Sequence, residues 1–426
     1  MVLALQHSPV TLNSSKSSEN TVQALKSQGL KALGSFIGPT PLRKAFLQGK
    51  VNQLSSALDS LRDLPKQHAL LLLRGSIHLL LRHLLRQLNP EGLKTLWKQA
   101  DAYIGDAVER LIARNAYDAT VIPQRNLIAI PVREGGLGIP NHAQLFEPLY
   151  DAAYRACTPQ LIQLQPGFTP QPTLKTLNAK ETLIAESDRL LQRLKNATPA
   201  TKLNARLENA SFLGRQWLRV LPTQKHHLLA DSEITEALRT RLLIPCRNED
   251  TLCSHCGTAP KIGHEDVCRG AARRWIARHD QITRAFIRTL ASRADLQVEG
   301  EPKGPEDTGG ELRADFSVLI GTSRRYYDVQ IVALNKDSGK KEPYATLKEA
   351  ADAKRLKYKS LGEAFEPLIF SAGGLMEEGT AQAYKALQKL LGPARSHWLS
   401  NQLAITLAQA RAHSAGSIAQ TTLRTA

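Results

Sequence analysis

The chain has 426 residues, 42% of them hydrophobic and 22% charged, enough for two or three domains that each bury a core. Its net charge of +17, from 56 Lys and Arg against 39 Asp and Glu, favours polyanionic partners, nucleic acid foremost. Five cysteines in this length exclude a disulfide scaffold, Met1 to Leu12 lacks the pattern of a signal peptide, and the one leucine-rich stretch, 70 to 88, carries Arg74, Arg82 and Arg86, which disfavour a membrane span.

Residues 1 to 28 are poor in pattern, and Asn13 to Asn20 reads as a polar loop. Gly29 to Gly38 is short and glycine-punctuated, a strand pair or a turn. From Pro41 to about Ala116 the apolar residues recur at helical spacing: a stripe of Leu54, Leu58 and Leu61, a leucine-rich helix over 66–88, and a third helix over 91–114, with Asn89-Pro90 between the last two. The run Ile128 to Pro140 reads as a strand entering a glycine-rich turn whose spacing matches neither a P-loop nor a dinucleotide fingerprint. Helix returns over 144–157. Pro159, Pro166, Pro170 and Pro172 then predict a linker over 158–175, and a helical stretch over 178–245 holds Trp217 and the pair His226-His227, assigned to surface or packing.

Cys253-x2-Cys256-x7-His264-x3-Cys268 supplies three thiolates and an imidazole, the ligand set of a closed, tetrahedral, structural Zn²⁺ site. Four filled positions leave none for a reacting water. Cys157 and Cys246 lie outside the group and read as structural thiols.

A basic helix over 271–293 follows, in which Arg274, Arg278, His279 and Arg284 are candidates for phosphate contact. Strands are expected over 296–301, 312–320 and 326–334, the last two joined by a loop of Gly321 to Arg324. That loop places 315 opposite 330 and 317 opposite 328, so that Asp315, Asp328 and Gln330 share a face with the aspartates about 7–8 Å apart at the backbone. Two carboxylates so placed can share one Mg²⁺; alternatively, one of them is a turn or edge charge. In the helix over 344–362 the stripe Leu347, Ala351, Lys354, Tyr358, Leu361 turns Lys354 toward the sheet, with Lys357 a turn beyond. A lysine on a packing face needs an anionic partner or a route to solvent. A strand over 365–372 and helices near 376–391 and 395–412 complete the chain.

The Cys-Cys-His-Cys module, Arg278-His279-Asp280, Arg313-x-Asp315, Tyr327-Asp328-Val329 and Lys354-x2-Lys357-Tyr358 together resemble the restriction-like endonuclease domain of site-specific non-LTR retrotransposons, a branch of the PD-(D/E)-x-K nucleases. The resemblance covers about 250–391. Leu33-Gly34-x2-Ile37-Gly38 and Gly135 to Ile139 are similar to the thumb and connecting region of the same polyproteins, whereas the polymerase motif Tyr-x-Asp-Asp is absent. The resemblance implies an α+β chain: a helical thumb/connector-like region over 1–157, a proline-rich linker and helical segment over 158–250, a zinc module over 251–270, and a restriction-like core of order αβββαβ within 271–426. It implies Asp315 and Asp328 as Mg²⁺ ligands, Glu301 as an accessory carboxylate and Lys354 or Lys357 as the catalytic lysine. Gln330 stands where the superfamily has its lysine and Ala314 where it often has proline. The expected activity is nicking of target DNA by a nuclear protein that binds DNA and element RNA, has no membrane partner and no polymerase activity, and represents the C-terminal piece of a retroelement. The alternative is a catalytically inactive nucleic-acid-binding relic; a zinc-stabilised protein-interaction scaffold is less favoured.

Overall fold

A computed structural model describes residues 23–24, 26–114, 125–165, 167–170, 177–246, 252–259, 261–302, 313–335 and 342–418. The expected polar loop at 13–20 lies outside them. The protein is mixed α+β, mostly helical, with a small four-stranded sheet. Among the described residues no helix is long and apolar enough to cross a membrane. Two compact units are present, one formed by Met1–Arg110, Ile128–Pro131 and Leu137–Asn196, the other by Leu111–Leu127, Val132–Gly136 and Ala197–Ala426.

The first unit opens with a hairpin, β1 (Leu30–Ala32) and β2 (Ser35–Ile37). Helices α1 (Thr40–Asp59), α2 (Lys66–Gly75), α3 (Lys94–Ile112), α4 (His142–Leu164) and α5 (Ala179–Ala197) follow. Leu47, Val51, Leu54 and Leu58 recur at helical spacing along α1 and are fully buried. The leucine-rich stretch is not one helix: α2 stops at Gly75, and a 3₁₀ turn (Ile77–Leu79) and a short helix (Leu84–Gln87) follow. His78 is responsible in part, since it is buried with its ring Nδ1 2.9 Å from the Leu73 carbonyl oxygen, in the last turn of α2. Asp101 fixes the start of α4 by accepting from the backbone amides of His142 and Ala143 and from the His142 ring. The linker expected from residue 158 is displaced, because α4 runs on through Pro159 to Leu164.

In the second unit, α6 (Ala200–Ala210) and α7 (Asp231–Arg241) precede the cysteine segment. Helix α8 (Ala272–Ala291) leads into β3 (Gln297–Gly300), β4 (Phe316–Ile320) and β5 (Ser323–Val332), an antiparallel meander. Helix α9 (Pro343–Lys357) crosses over to β6 (Phe365–Ser371), parallel to β5, and α10 (Glu378–Ile418) closes the chain with a break at Gly392-Pro393, where two helices are expected. Phe316, Val318, Tyr327 and Val329 face α8 and α10 through Phe286, Tyr384 and Leu387. The opposite face, Val332 and Ile369, packs on Leu347 and Ala351 of α9. Alternation along β5 therefore sends Asp328 and Gln330 to the α9 side.

The run expected as a strand at 128–140 is instead a helical turn (Asn126–Ala129) and a 3₁₀ turn (Val132–Glu134). In the second unit the carbonyls of Val132 and Gly136 accept from the buried guanidinium of Arg241, not from a neighbouring strand.

Candidate metal centre and carboxylate site

Cys253, Cys256, His264 and Cys268 converge, with all four ligand atoms within 4.8 Å of one another. A tetrahedral ion with Zn–S of about 2.3 Å and Zn–N of about 2.0–2.1 Å sets sulfurs about 3.8 Å apart and a sulfur–nitrogen pair about 3.5 Å apart. The observed spacings are 3.6 Å for Cys253–Cys268, 3.9 Å for Cys268–Cys256 and 3.4 Å from Cys256 Sγ to His264 Nε2. The cluster thus fits a metal such as zinc. Gly257 and Gly263 make the loop possible at φ +67° and +75°, and a Cβ on Gly263 would stand 1.9 Å from Asn335 Nδ2. Burial pushes the Cys268 thiol up to about 11, while a hydrogen bond with Thr258 brings Cys256 down to about 7. A bound cation would favour both thiolates.

Between the ligands lie Glu265 and Asp266, both buried. Asp266 accepts from Arg278 of α8 at 3.1 Å and from Arg411 of α10 at 2.7 Å; Arg411 also bonds Glu208 at 2.9 Å. Arg278 is only 3% exposed, so the expectation that it contacts phosphate is corrected: its charge is committed to Asp266, in the loop that carries the Cys/His cluster. Arg274 and Arg284 remain exposed on α8.

The hairpin between β4 and β5 has a two-residue turn, Gly321-Thr322, not a four-residue loop, and pairs Phe316 with Tyr327 and Ile320 with Ser323. The expected register is therefore two residues out. Continued past Phe316 it sets Asp315 opposite Asp328, but the strands part there: the Asp315 amide donates to the Tyr327 carbonyl at 3.0 Å. The Asp315 carboxylate folds over β5, Oδ2 accepting from the Val329 amide at 2.6 Å and standing 3.1 Å from His279 Nε2. His279 also stands 3.1 Å from the Val329 carbonyl. Asp315 and His279 together satisfy both polar groups that Val329 presents where the ladder ends. The Asp315 hydrogen bond and charge raise His279 to about 9, so the imidazole is charged at neutral pH. His279 is thus a partner of the carboxylate site.

Asp328 is buried, and its Oδ1 lies 2.6 Å from the Tyr358 hydroxyl, which is also 2.7 Å from the Arg313 carbonyl. Lys354 Nζ stands 2.5 Å from Oδ2 as an ion pair but off the angle of a hydrogen bond, leaving Oδ2 a buried oxygen without a hydrogen-bond partner. Burial, then the Asp328 hydrogen bond and the charges of Asp328 and Asp315, push the Tyr358 phenol well up. Lys357 is placed differently: its amine lies 3.3 Å from the Tyr358 hydroxyl and 4.8 Å from the centre of that ring. Gln330 is half-buried one alternation past Asp328. The Glu301 carboxylate is exposed and without a partner among the described residues; only its backbone amide reaches the site, donating to the Asp315 carbonyl.

Among the described residues neither Asp315 Oδ1 nor Asp328 Oδ2 accepts a hydrogen bond, and the Lys354 ammonium stands 2.5 Å from the latter. Among the described residues the Cys/His cluster is the one group of three or more converging metal ligands. Fold and site together define a mixed α+β protein whose second unit carries a Cys₃His cluster that could hold a metal and a separate constellation of two carboxylates, a lysine and a tyrosine. Neither a protein-family model nor a curated protein matches the chain.

Proposed function

We propose that the second unit is a divalent-metal-dependent DNA endonuclease of the restriction-like PD-(D/E)-x-K type, carried on a retroelement-derived chain without polymerase activity, and that the Cys₃His cluster holds a structural Zn²⁺. The observation that carries this reading is the Lys354 amine at Asp328, with Asp315 at the adjoining strand end. A bound Mg²⁺ would polarise the phosphodiester and acidify a water. Asp315 and Asp328 offer it oxygens; Tyr358 holds the Asp328 carboxylate in orientation; Lys354, released from Asp328, offsets negative charge developing on the phosphate. DNA and element RNA, bound in the nucleus, are the partners this reading assigns.

Plasmid nicking with Mg²⁺ tests it. Asp315→Ala and Asp328→Ala should abolish nicking and Lys354→Met should reduce it more than Lys357→Met; cleavage equal to the parent's in both aspartate variants would overturn the assignment. The second reading, a nucleic-acid-binding relic that does not cut, is favoured by the pairing of each aspartate with a cation of the chain itself. It requires salt-sensitive binding without cleavage under any divalent metal.

A further inference from the structure

A groove of about 770 Å³ runs between α8 and α10, within the roughly 300–1,000 Å³ typical of ligand sites. Arg284 and Arg288 of α8 form one wall; Arg395 and Trp398 of α10, with His226, form the other. Its lining includes three arginines, one histidine and no carboxylate, so the groove carries a positive potential. Arg284 and Arg288 are exposed one helical turn apart, about 6 Å along the axis, close to the step between successive phosphates of one strand. The Arg284 and Arg395 side chains each donate through Nε, to the Asp280 carbonyl and to Ser292 Oγ; the Arg288 guanidinium has no partner among the described residues.

Trp398 is half-buried, and its indole N–H donates to His226 Nε2 at 3.1 Å, with the rings 5.3 Å apart at 62°. That bond fixes the indole in place, so little rotamer entropy is lost when another ring packs on it. Guanidinium groups spaced like phosphates, opposite an anchored aromatic ring, form the combination that grips single strands: charge tracks the backbone while bases stack. A duplex hides its bases and cannot use the indole.

We infer that the groove between α8 and α10 binds single-stranded nucleic acid, with phosphates on Arg284, Arg288 and Arg395 and a base stacked on Trp398. This rests on the proposed function for the class of partner and not for cleavage, since Asp315, Asp328 and Lys354 do not line the groove.

The test uses the full chain carrying Asp328→Asn, in buffer without Mg²⁺ and without chelator so that the Cys/His cluster keeps its metal, with fluorophore-labelled oligothymidylate followed by anisotropy across a salt series. Arg288→Glu with Arg395→Glu should weaken binding at least tenfold and flatten the slope of log affinity against log salt by about 1.4, two contacts at about 0.7 each. Trp398→Ala should cost roughly 5- to 150-fold, and Trp398→Phe, which keeps a ring, much less. Unchanged affinity in the arginine pair and in Trp398→Ala would overturn the inference. So would a duplex of equal length that competes as strongly as the single strand. Single-strand binding that depends on these residues, in a parent chain that nicks nothing, would uphold the groove and count against the nuclease alone.

Discussion

Replacing Cys256 with serine isolates the contribution of the metal cluster. Cys256 is the exposed member of the four, so its sulfur is removed without opening a cavity in the core. The donor spacings already match a tetrahedral zinc, so little binding energy is lost to rearrangement. Structural zinc contributes about 10–16 kcal/mol of apparent binding free energy in zinc-finger peptides. Here packing of Cys253 and Cys268 against Ala271, Ala415 and Ile418 supports part of the loop independently, and three ligands survive, which leaves a loss of about 5 kcal/mol. At about 2–4 °C per kcal/mol in a domain of the larger class, the second unit should melt about 10–20 °C lower. Metal content by elemental analysis and calorimetry, with Cys157→Ser as the control outside the cluster, read both effects. Zinc-free parent protein from zinc-replete cells, or a Cys256→Ser protein with parental zinc and melting temperature, would refute the reasoning.

Arg411→Met removes the cation shared by Glu208 and Asp266 and strands buried carboxylates, at a cost of about 3–5 kcal/mol in denaturant titration. His279 is raised from an ordinary 6.5 to about 9 when folded, so its contribution to stability is complete below pH 6.5 and disappears as pH climbs through 9; NMR of the ring in metal-free buffer should give a midpoint near 9, falling toward 6.5 in Asp315→Asn. Tyr358→Phe removes the one hydroxyl proton shared between Asp328 Oδ1 and the Arg313 carbonyl, for a loss of about 1–3 kcal/mol, and frees the carboxylate to turn; thermal melts and nicking rates should both decline.

The Cys/His cluster was legible because its spacing is local: the four donors fall within sixteen residues, in a pattern suited to a tetrahedral metal site. The order of strands and helices in the second unit was legible from alternation, turn residues and the apolar stripe that carried Lys354 to Asp328. The register was not, since Gly321-Thr322-Ser323-Arg324 serves a two-residue turn or a four-residue loop equally well. The error was an even number of residues, so it preserved the faces and left Asp328 and Gln330 on the expected side. Arg278 was misread because a helix of arginines does not reveal which one turns inward; that depends on Asp266 and on Arg411, far along the chain. The Trp398–His226 contact, spanning 172 residues, had no local signal at all.

That difference in sequence separation has a consequence for how the second unit assembles. The sulfurs of Cys253 and Cys268 meet across 15 residues, whereas Arg411 reaches Asp266 across 145 and Glu208 across 203. Closing the longest of these loops costs about 2 kcal/mol more chain entropy than closing the shortest. The metal loop can therefore form while the C-terminal helix is still being made, holding Asp266 ready for Arg411. Pulse-labelled hydrogen exchange should find the Cys253–Cys268 amides protected before those of α10, and lose that order when zinc is withheld.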